Sequence, residues 1–248
     1  MKMPLWFLCL SMSVVPVRAE TINVAAASDL SFALHEMIGA FEHETGHQVR
    51  LTLGSSGNFY AQIVNGAPFD VFLSGDMDYP KQLEANGHAV PGSVFTYGLG
   101  ALALWVPRQS TLRLERLGLQ VLLDDSVKKV AIANPEHAPY GRAAVAAMKH
   151  AKVYDRVKAK LVLGENVSQA AQFVQSGAAD IGIIALSIVL SAPMRQSGRY
   201  WMIPADMYPL LVQAAVLLKR AGPAARDFYQ WLHGSDAQQI LFKYGFAQ

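Results

Sequence analysis

A segment rich in serine and glycine, Leu53 to Asn58, contains the residue types that bind an anion. It follows a stretch beginning at Val49 in which apolar and polar residues alternate, and it runs into a predicted helix, Phe59 to Val64. The first N–H groups of a helix have no intrahelical acceptor, the helix dipole adds positive potential, and Ser55 and Ser56 add hydroxyl donors. The segment therefore predicts an anion-binding turn, with plain helix capping by the serines as the alternative.

Three further turns of this kind lie between predicted strands and helices. One begins at Ser28, one spans Asn134 to Gly141, and one ends at Val167. Ser28 and Tyr140 offer hydroxyl groups, and Val167 offers a backbone N–H at a helix start. None of these turns contains a lysine, but neutral donors can hold a dianion where local dipoles converge in a dry cleft. We expect a donor-rich site with few acceptors, which disfavours protonated ligands such as hydrogen phosphate.

Strands and helices alternate along the chain and would position these turns. The predicted strands are 21–26, 49–53, 70–73, 129–133, 161–163 and 180–184, and the clearest helices are 30–41, 59–64, 142–150, 167–176, 224–232 and 236–242. This alternation predicts the α/β class, with mostly parallel sheets covered by helices on both faces.

Two apolar stretches interrupt the alternation, at Tyr97 to Val106 and Val212 to Leu218. We interpret them as strands that cross between two doubly wound α/β lobes, joined by paired hinge strands. The first lobe would comprise residues 20–99 and 212–248, and the second residues 100–211. Ligands of open α/β sheets bind beyond the carboxyl ends of the strands, so facing lobes would bring the four turns to a common cleft.

The first nineteen residues have the organisation of a signal peptide. Lys2 is followed by the apolar run Pro4 to Pro16 and by Val17-Arg18-Ala19, a small-x-small cleavage site. The sequence thus predicts export to the periplasm. Cys9, the single cysteine of the chain, would leave with this peptide, which excludes a disulfide or a thiol nucleophile; its use as a lipid-attachment site is a minor alternative.

The charge balance argues against a nucleic-acid partner. The chain has 21 basic and 19 acidic residues, and cleavage removes Lys2 and Arg18, so that the mature protein is formally neutral. Nucleic-acid binding requires a basic surface.

A hydrolase active site and a metal site are the two other classes of site to consider. A serine hydrolase is a remote alternative, because Gly54 to Asn58 lacks the second glycine of a G-x-S-x-G elbow and no histidine is marked as the base. The carboxylates Asp70, Asp76 and Asp78, or His43 with His47, could be metal ligands. Helix capping is the more ordinary role of aspartates at such positions, and we expect neither a free metal cation nor another cofactor.

Six motifs follow one another along the chain: Ala26-Ala27-Ser28, Gly54-Ser55-Ser56-Gly57, Ala61-Gln62-Ile63-Val64-Asn65-Gly66-Ala67-Pro68, Asp70-Val71-Phe72-Leu73-Ser74, Asn134-Pro135-Glu136-His137-Ala138-Pro139-Tyr140-Gly141 and Lys243-Tyr244-Gly245-Phe246. Taken in order, these motifs resemble the periplasmic molybdate-binding proteins of ABC importers, which have a type II periplasmic binding protein fold. The resemblance implies a monomeric binding protein, not an enzyme, which captures molybdate or tungstate between its lobes and delivers the anion to an inner-membrane permease. Sulfate or phosphate remains the alternative ligand.

The resemblance also implies a set of ligand contacts. They are the hydroxyl and N–H groups of Ser28 and Ser56, the N–H groups of Tyr140 and Val167, and the N–H of Asp29. We expect the Asp29 carboxylate to point away from a dianion or to cap the helix. One branch of the family adds a tyrosine hydroxyl where this chain has Ala185, and another takes it from the Pro-Tyr-Gly turn, as Tyr140 could supply here.

Overall fold

The structure is a computed structural model that describes residues 19–247. The predicted signal peptide, apart from Ala19, lies outside the described residues, as does Cys9. Ten strands are formed: Thr21–Ala27 (β1), Gln48–Gly54 (β2), Val71–Ser74 (β3), Phe95–Gly100 (β4), Leu102–Pro107 (β5), Val130–Ala133 (β6), Leu161–Gly164 (β7), Ile181–Ala185 (β8), Gly198–Met202 (β9) and Leu211–Leu217 (β10).

The α-helices within residues 19–247 are Ser31–Thr45 (α1), Ser56–Val64 (α2), Asp78–Ala85 (α3), Leu114–Leu117 (α4), Pro139–His150 (α5), Tyr154–Val157 (α6), Val167–Gln175 (α7), Leu186–Val189 (α8), Ala192–Ser197 (α9), Pro223–Trp231 (α10) and Ser235–Lys243 (α11). Short 3₁₀ turns occupy Ser28–Leu30, Gly118–Leu123, Lys158–Lys160 and Ala205–Met207. Within the described part of the chain, none of the helices is long and apolar enough to cross a membrane.

The strands form two mixed five-stranded sheets. The first has the order β2-β1-β3-β10-β4, in which β1 runs parallel to β2 and β3 while β10 runs antiparallel to β3 and β4. The second has the corresponding order β7-β6-β8-β5-β9, with β6 parallel to β7 and β8 and with β5 antiparallel to β8 and β9. We call each sheet with its packed helices a lobe. This architecture confirms the predicted fold class of two α/β lobes.

Each lobe has its own apolar core. In the first lobe Phe41 and Phe228 are fully buried on one face of the sheet, with ring centroids 5.0 Å apart in an edge-to-face arrangement, and Phe72 is buried on the other face. In the second lobe Trp105 is the largest fully buried side chain. Burial of each such side chain stabilises the fold by about 1.5–3 kcal/mol. Two separate cores allow each lobe to act as a rigid support for the turns at its edge.

The chain passes between the sheets at two places. The predicted single strand from Tyr97 to Val106 is wrong, because β4 ends at Gly100 in the first sheet and β5 begins at Leu102 in the second. The return passage follows β9 and leads into β10 of the first sheet. The exact residue limits of the lobes stay a prediction.

Two helices begin earlier than their apolar periodicity indicated. Helix α2 starts at Ser56 rather than Phe59, and α5 starts at Pro139 rather than Arg142. Proline suits the first helical position because its fixed φ is helical and it lacks the N–H that would be unpaired there. Tyr140 is therefore a helical residue, and the predicted turn from Asn134 to Gly141 is too long. This shift places the N–H groups of two predicted site residues in first helical turns.

Candidate functional site

All five predicted site residues line one small cavity where the two lobes meet. The cavity has a volume of only about 10 Å³. Its lining consists of Ala27, Ser28, Asp29, Gly54, Ser55, Ser56, Gly75, Ala138, Pro139, Tyr140, Asn166 and Val167. A space of this size is about enough for one water molecule, so it excludes a sugar or a peptide.

The hydroxyl groups of Ser28 and Ser56 are both engaged as hydrogen-bond acceptors. Ser28 Oγ accepts from the backbone N–H of Ser168 at 3.3 Å, and Ser56 Oγ accepts from the N–H of Gly75 at 2.9 Å. A serine hydroxyl has one proton to donate, and these bonds leave both protons available. The expectation that the two serines also cap their helices is wrong, because neither makes a side-chain capping bond.

Helix starts surround the cavity. Ser56 is the first residue of α2, Tyr140 the second of α5 and Val167 the first of α7. Backbone N–H groups in a first turn have no intrahelical acceptor, and the dipole of each helix places positive potential there. In α7 the Asn166 side chain caps the helix by accepting from the N–H of Gln169 at 3.0 Å, which leaves the Val167 N–H to the cavity. Three helices thus direct their positive ends at one small space.

Close backbone packing holds the start of α5 in place. A Cβ atom on Gly141 would overlap the carbonyl oxygen of Ala133 at the end of β6. Gly141 ends the predicted turn from Asn134, and glycine is required here by this contact between helix and strand. It brings Tyr140 to the carboxyl end of the second sheet.

A buried polar network lies behind the cavity and was not anticipated. The Gln213 amide of β10 donates to Asp29 Oδ2 at 2.7 Å and to the Tyr140 hydroxyl at 2.9 Å. Its carbonyl oxygen accepts from the hydroxyl of Tyr97 at 2.7 Å. Every polar atom of the Gln213 side chain is therefore paired, which fixes the orientation of its amide. A single glutamine in an otherwise apolar buried strand is the signal that could have identified it.

Asp29 differs from its predicted arrangement. Its side chain is only 1% exposed, it makes no capping hydrogen bond, and Oδ1 has no hydrogen-bond partner among the described residues. Burial raises the pKa of the Asp29 carboxyl from 3.8 to about 6, and hydrogen bonds from Gln213 and Tyr140 oppose that rise. Of the two predicted arrangements, a capping carboxylate is wrong, whereas a carboxylate that points away from the ligand stays a prediction. One unpaired carboxyl oxygen belongs to a residue that lines the cavity.

Hydrogen bonds and an ion pair join the lobes around the cavity. The carbonyl oxygen of His137 accepts from the Gly57 N–H at 2.9 Å, and His137 Nδ1 lies 2.8 Å from Ser55 Oγ. Asn58 Nδ2 donates to Glu165 at 2.6 Å. On the hinge side, the Ser187 hydroxyl donates to the carbonyl oxygen of Asp29 at 2.7 Å. The lobes are in contact around the cavity, which is the arrangement that would enclose a small ion.

His137 and Ser187 were not predicted as functional residues. His137 lies within the motif Asn134 to Gly141, but no neighbouring residue in the sequence marks it as a contact between the lobes. The Ser55–His137 pair has the chemical types of a nucleophile and its base, yet its two members belong to different lobes. The pair is therefore a contact that closes the cleft.

Cations are absent from the lining of the cavity. No lysine, arginine or histidine lines it in the part of the chain that the structure describes. Over residues 19–247, no group of three or more His, Cys, Asp or Glu side chains is placed to hold a metal ion. Two of the three aspartates considered as metal ligands have other partners: Asp70 accepts from the N–H of Asn23 at 2.8 Å, and Asp76 pairs with Arg142 at 2.6 Å.

Comparison with known proteins identifies the family. Residues 22–247 match the model of the bacterial extracellular solute-binding proteins. The molybdate-binding protein ModA of Rhodobacter capsulatus is 39% identical over 235 residues, which cover 94% of this chain and 90% of the relative. The molybdate-binding protein ModA of Azotobacter vinelandii is 38% identical, with coverage of 93% and 91%.

Solved structures show the same fold. The periplasmic molybdate-binding protein of Azotobacter vinelandii superposes with a TM-score of 0.86 at 36% identity, covering 92% of this chain and 99% of that one. The sulfate-binding protein SubI of Mycobacterium tuberculosis superposes with a TM-score of 0.73 at 15% identity, covering 92% of this chain and 86% of that one, which shows a shared fold alone. These relatives are binding proteins, which confirms the prediction that the chain is not an enzyme. The chain belongs to the bacterial extracellular solute-binding protein family.

Proposed function

We propose that this protein captures molybdate in the cavity between its lobes and delivers it to an ABC permease in the inner membrane. The observation that carries the proposal is the cavity itself, which is ringed by hydroxyl and helix-start N–H donors and is lined by no lysine, arginine or histidine from residues 19–247. A tetrahedral dianion can accept hydrogen bonds on all four oxygens, and converging neutral dipoles stabilise its charge without a lysine or an arginine.

The proposed contacts come from both lobes. Ser28 and Ser56 of the first lobe donate their free hydroxyl protons and backbone N–H groups, and Tyr140 and Val167 of the second lobe donate N–H groups. The N–H of Asp29 is a further proposed donor. Binding to both lobes at once favours the closed arrangement, which gives a permease a shape by which to recognise the loaded protein.

The names of the relatives favour molybdate over other oxyanions. Two relatives that are 38–39% identical are molybdate-binding proteins, whereas the sulfate-binding neighbour is 15% identical. Tungstate has the same shape and charge as molybdate, so we propose that it binds as well. Phosphate remains a required comparison, because the unpaired oxygen of Asp29 is an acceptor that could take the proton of hydrogen phosphate.

The proposed location and partners follow from family membership. Family members act outside the cytoplasm, and we propose that residues 1–19 direct export to the periplasm and are removed. We also propose that the mature protein works as a monomer, because the two lobes of one chain are enough to line the cavity.

Isothermal titration calorimetry of the exported, anion-free protein tests this function. We expect one molybdate per chain, comparable binding of tungstate, and much weaker binding of sulfate and phosphate. The Ser28→Ala/Ser56→Ala double variant is the matched negative control, because it removes two donors from the cavity. Tight sulfate or phosphate binding without molybdate binding would overturn the assignment.

A further inference from the structure

Among the described residues that line the cavity, Asp29 is the only carboxylic acid, and none of them is a cation that could balance it. Its Oδ1 atom is buried and has no hydrogen-bond partner among residues 19–247. A buried carboxylate oxygen without a partner costs free energy, and a dianion in the same small space would increase that cost through repulsion. This arrangement conflicts with the binding of an unaccompanied dianion.

The groups that pack against Asp29 do not remove the conflict. Gln213 from β10 donates to Asp29 Oδ2, and the hydroxyl of Tyr140 from α5 is a second neutral hydrogen-bonding group beside the carboxyl. Tyr97 from β4 is neutral too, because burial and the nearby Asp29 raise its pKa well above 10. Ser187 from α8 contacts the backbone oxygen of Asp29 rather than its carboxyl group. Each neighbouring element thus contributes a dipole, and none contributes a positive charge.

We propose that the oxyanion binds together with one proton, which is shared between Asp29 Oδ1 and an oxygen of the anion. This inference rests on the proposed function, since it concerns the same cavity. The proton comes from solvent, no covalent bond other than the O–H bond is made or broken, and the neutral acid becomes a donor to the anion. The shared proton then gives a hydrogen bond to Oδ1, an atom that has no partner among residues 19–247.

The raised pKa of the Asp29 carboxyl favours uptake of the proton. Burial raises the pKa of the Asp29 carboxyl to about 6, so that the acid form is already present near neutral pH. A bound dianion raises it further through repulsion of the ionised form. Proton uptake and a pH-dependent affinity follow by linkage, with binding stronger at lower pH.

Calorimetry in matched buffers measures the number of protons directly. Molybdate is titrated at about pH 7.5 in two buffers with different ionisation enthalpies, and the difference in observed enthalpy gives the protons taken up per anion. We expect close to one proton in the wild type, and a dissociation constant that rises by up to about tenfold for each pH unit between about 7 and about 8.5. Asp29→Asn keeps a neutral donor at this position, so we expect uptake near zero and an affinity that does not change with pH.

His137→Gln is the matched control, because His137 is an ionisable side chain beside the cavity, where it bonds to Ser55. We expect this variant to retain uptake of about one proton. Loss of uptake in His137→Gln but not in Asp29→Asn would assign the proton to the histidine and overturn the inference.

The wild-type titration separates this inference from the proposed function. Tight molybdate binding with no proton uptake would overturn the inference and leave the function standing. Absence of molybdate binding at every pH would overturn both. The wild-type proton count also decides the matter if the Asp29→Asn variant does not fold.

Discussion

The guanidinium group of Arg142 lies 2.6 Å from Asp76 Oδ2, and this ion pair joins the second lobe to the first beside the cavity. The Asp76 side chain is 15% exposed and that of Arg142 is 42% exposed, so solvent screens the pair on one side. Burial raises the pKa of Asp76, while the Tyr79 N–H and the Arg142 charge oppose that rise. The pair can form only while the lobes are in contact, so it stabilises the closed arrangement rather than the fold of either lobe.

Arg142→Gln should therefore weaken molybdate binding modestly. Partly exposed ion pairs contribute about 0.2–1 kcal/mol, which corresponds to a change in affinity of about two- to fivefold. Calorimetry would measure the affinity, and small-angle X-ray scattering the fraction of closed molecules. Lys149→Gln is the control, since Lys149 lies near the other end of α5 beside Tyr154. Equal effects of the two variants would show that net charge, not this pair, is responsible.

Removing either serine hydroxyl should weaken binding much more. Ser28→Ala or Ser56→Ala deletes a donor to a buried dianion, at a cost of about 1.5–3 kcal/mol, or about ten- to a hundredfold in affinity. The fold should persist, because neither hydroxyl caps a helix. Calorimetric titration of each variant measures the loss.

Ser31→Ala is the control for the two serine variants, because Ser31 is near Ser28 in the chain but does not line the cavity. It should bind as tightly as the wild type. Wild-type affinity in both Ser28→Ala and Ser56→Ala would remove these hydroxyls from the proposed site.

Tyr140→Phe should reduce affinity while preserving the fold. The Tyr140 hydroxyl is buried, accepts from Gln213 at 2.9 Å and lies beside Asp29, so its removal disturbs the network behind the cavity. We expect a loss of about 1–3 kcal/mol in binding free energy. Tyr154→Phe, on the neighbouring helix, is the control. Unchanged binding by Tyr140→Phe would limit the contribution of Tyr140 to its backbone N–H.

The sequence predicted the lobes and the strand-to-helix turns because both depend on local pattern. Apolar periodicity marked most strands, and the positions of Ser28, Ser56 and Val167 at helix starts follow from chain order. The sequence could not predict what the serine hydroxyls bind, since Ser168 and Gly75 are far from them in the chain. The local preference of serine at helix starts predicts helix capping, but the two hydroxyls accept hydrogen bonds from Ser168 and Gly75 instead.

The carboxyl group of Asp29 illustrates the same limit. Its burial depends on Gln213, which is 184 residues away, and on the closure of the second lobe over it. From local sequence alone, an aspartate at a helix start is predicted to cap that helix. The unpaired oxygen and the raised pKa are properties of the assembled site.

Gly100→Ala should obstruct the closed arrangement. A Cβ atom at Gly100 would overlap the Tyr140 hydroxyl of the second lobe and lie 2.5 Å from Gln213 Nε2. Both groups are held in the buried network, so neither can move without breaking a hydrogen bond. We expect a loss of affinity of at least about tenfold, which corresponds to about 1.4 kcal/mol.

Gly98→Ala is the matched control for the variant at Gly100. It lies two residues earlier in the same strand, and its Cβ would approach Ala247 and Phe246 at the less severe distance of 3.2 Å. Calorimetry and scattering should show near-normal closure in Gly98→Ala and impaired closure in Gly100→Ala. Normal molybdate affinity in Gly100→Ala would show that the network tolerates a methyl group.

The unfolding free energy of the protein with its lobes in contact should depend on pH through Asp29. Burial raises the pKa of this carboxyl from 3.8 to about 6, so the folded protein binds the proton more tightly than the unfolded chain does. The unfolding free energy should therefore fall as pH rises between about 4 and about 6, by up to roughly 3 kcal/mol, and remain level above that range. Asp29→Asn should lack this component. Urea unfolding of both proteins across that pH range measures it, and a constant difference between them would show that Asp29 titrates normally in the folded state.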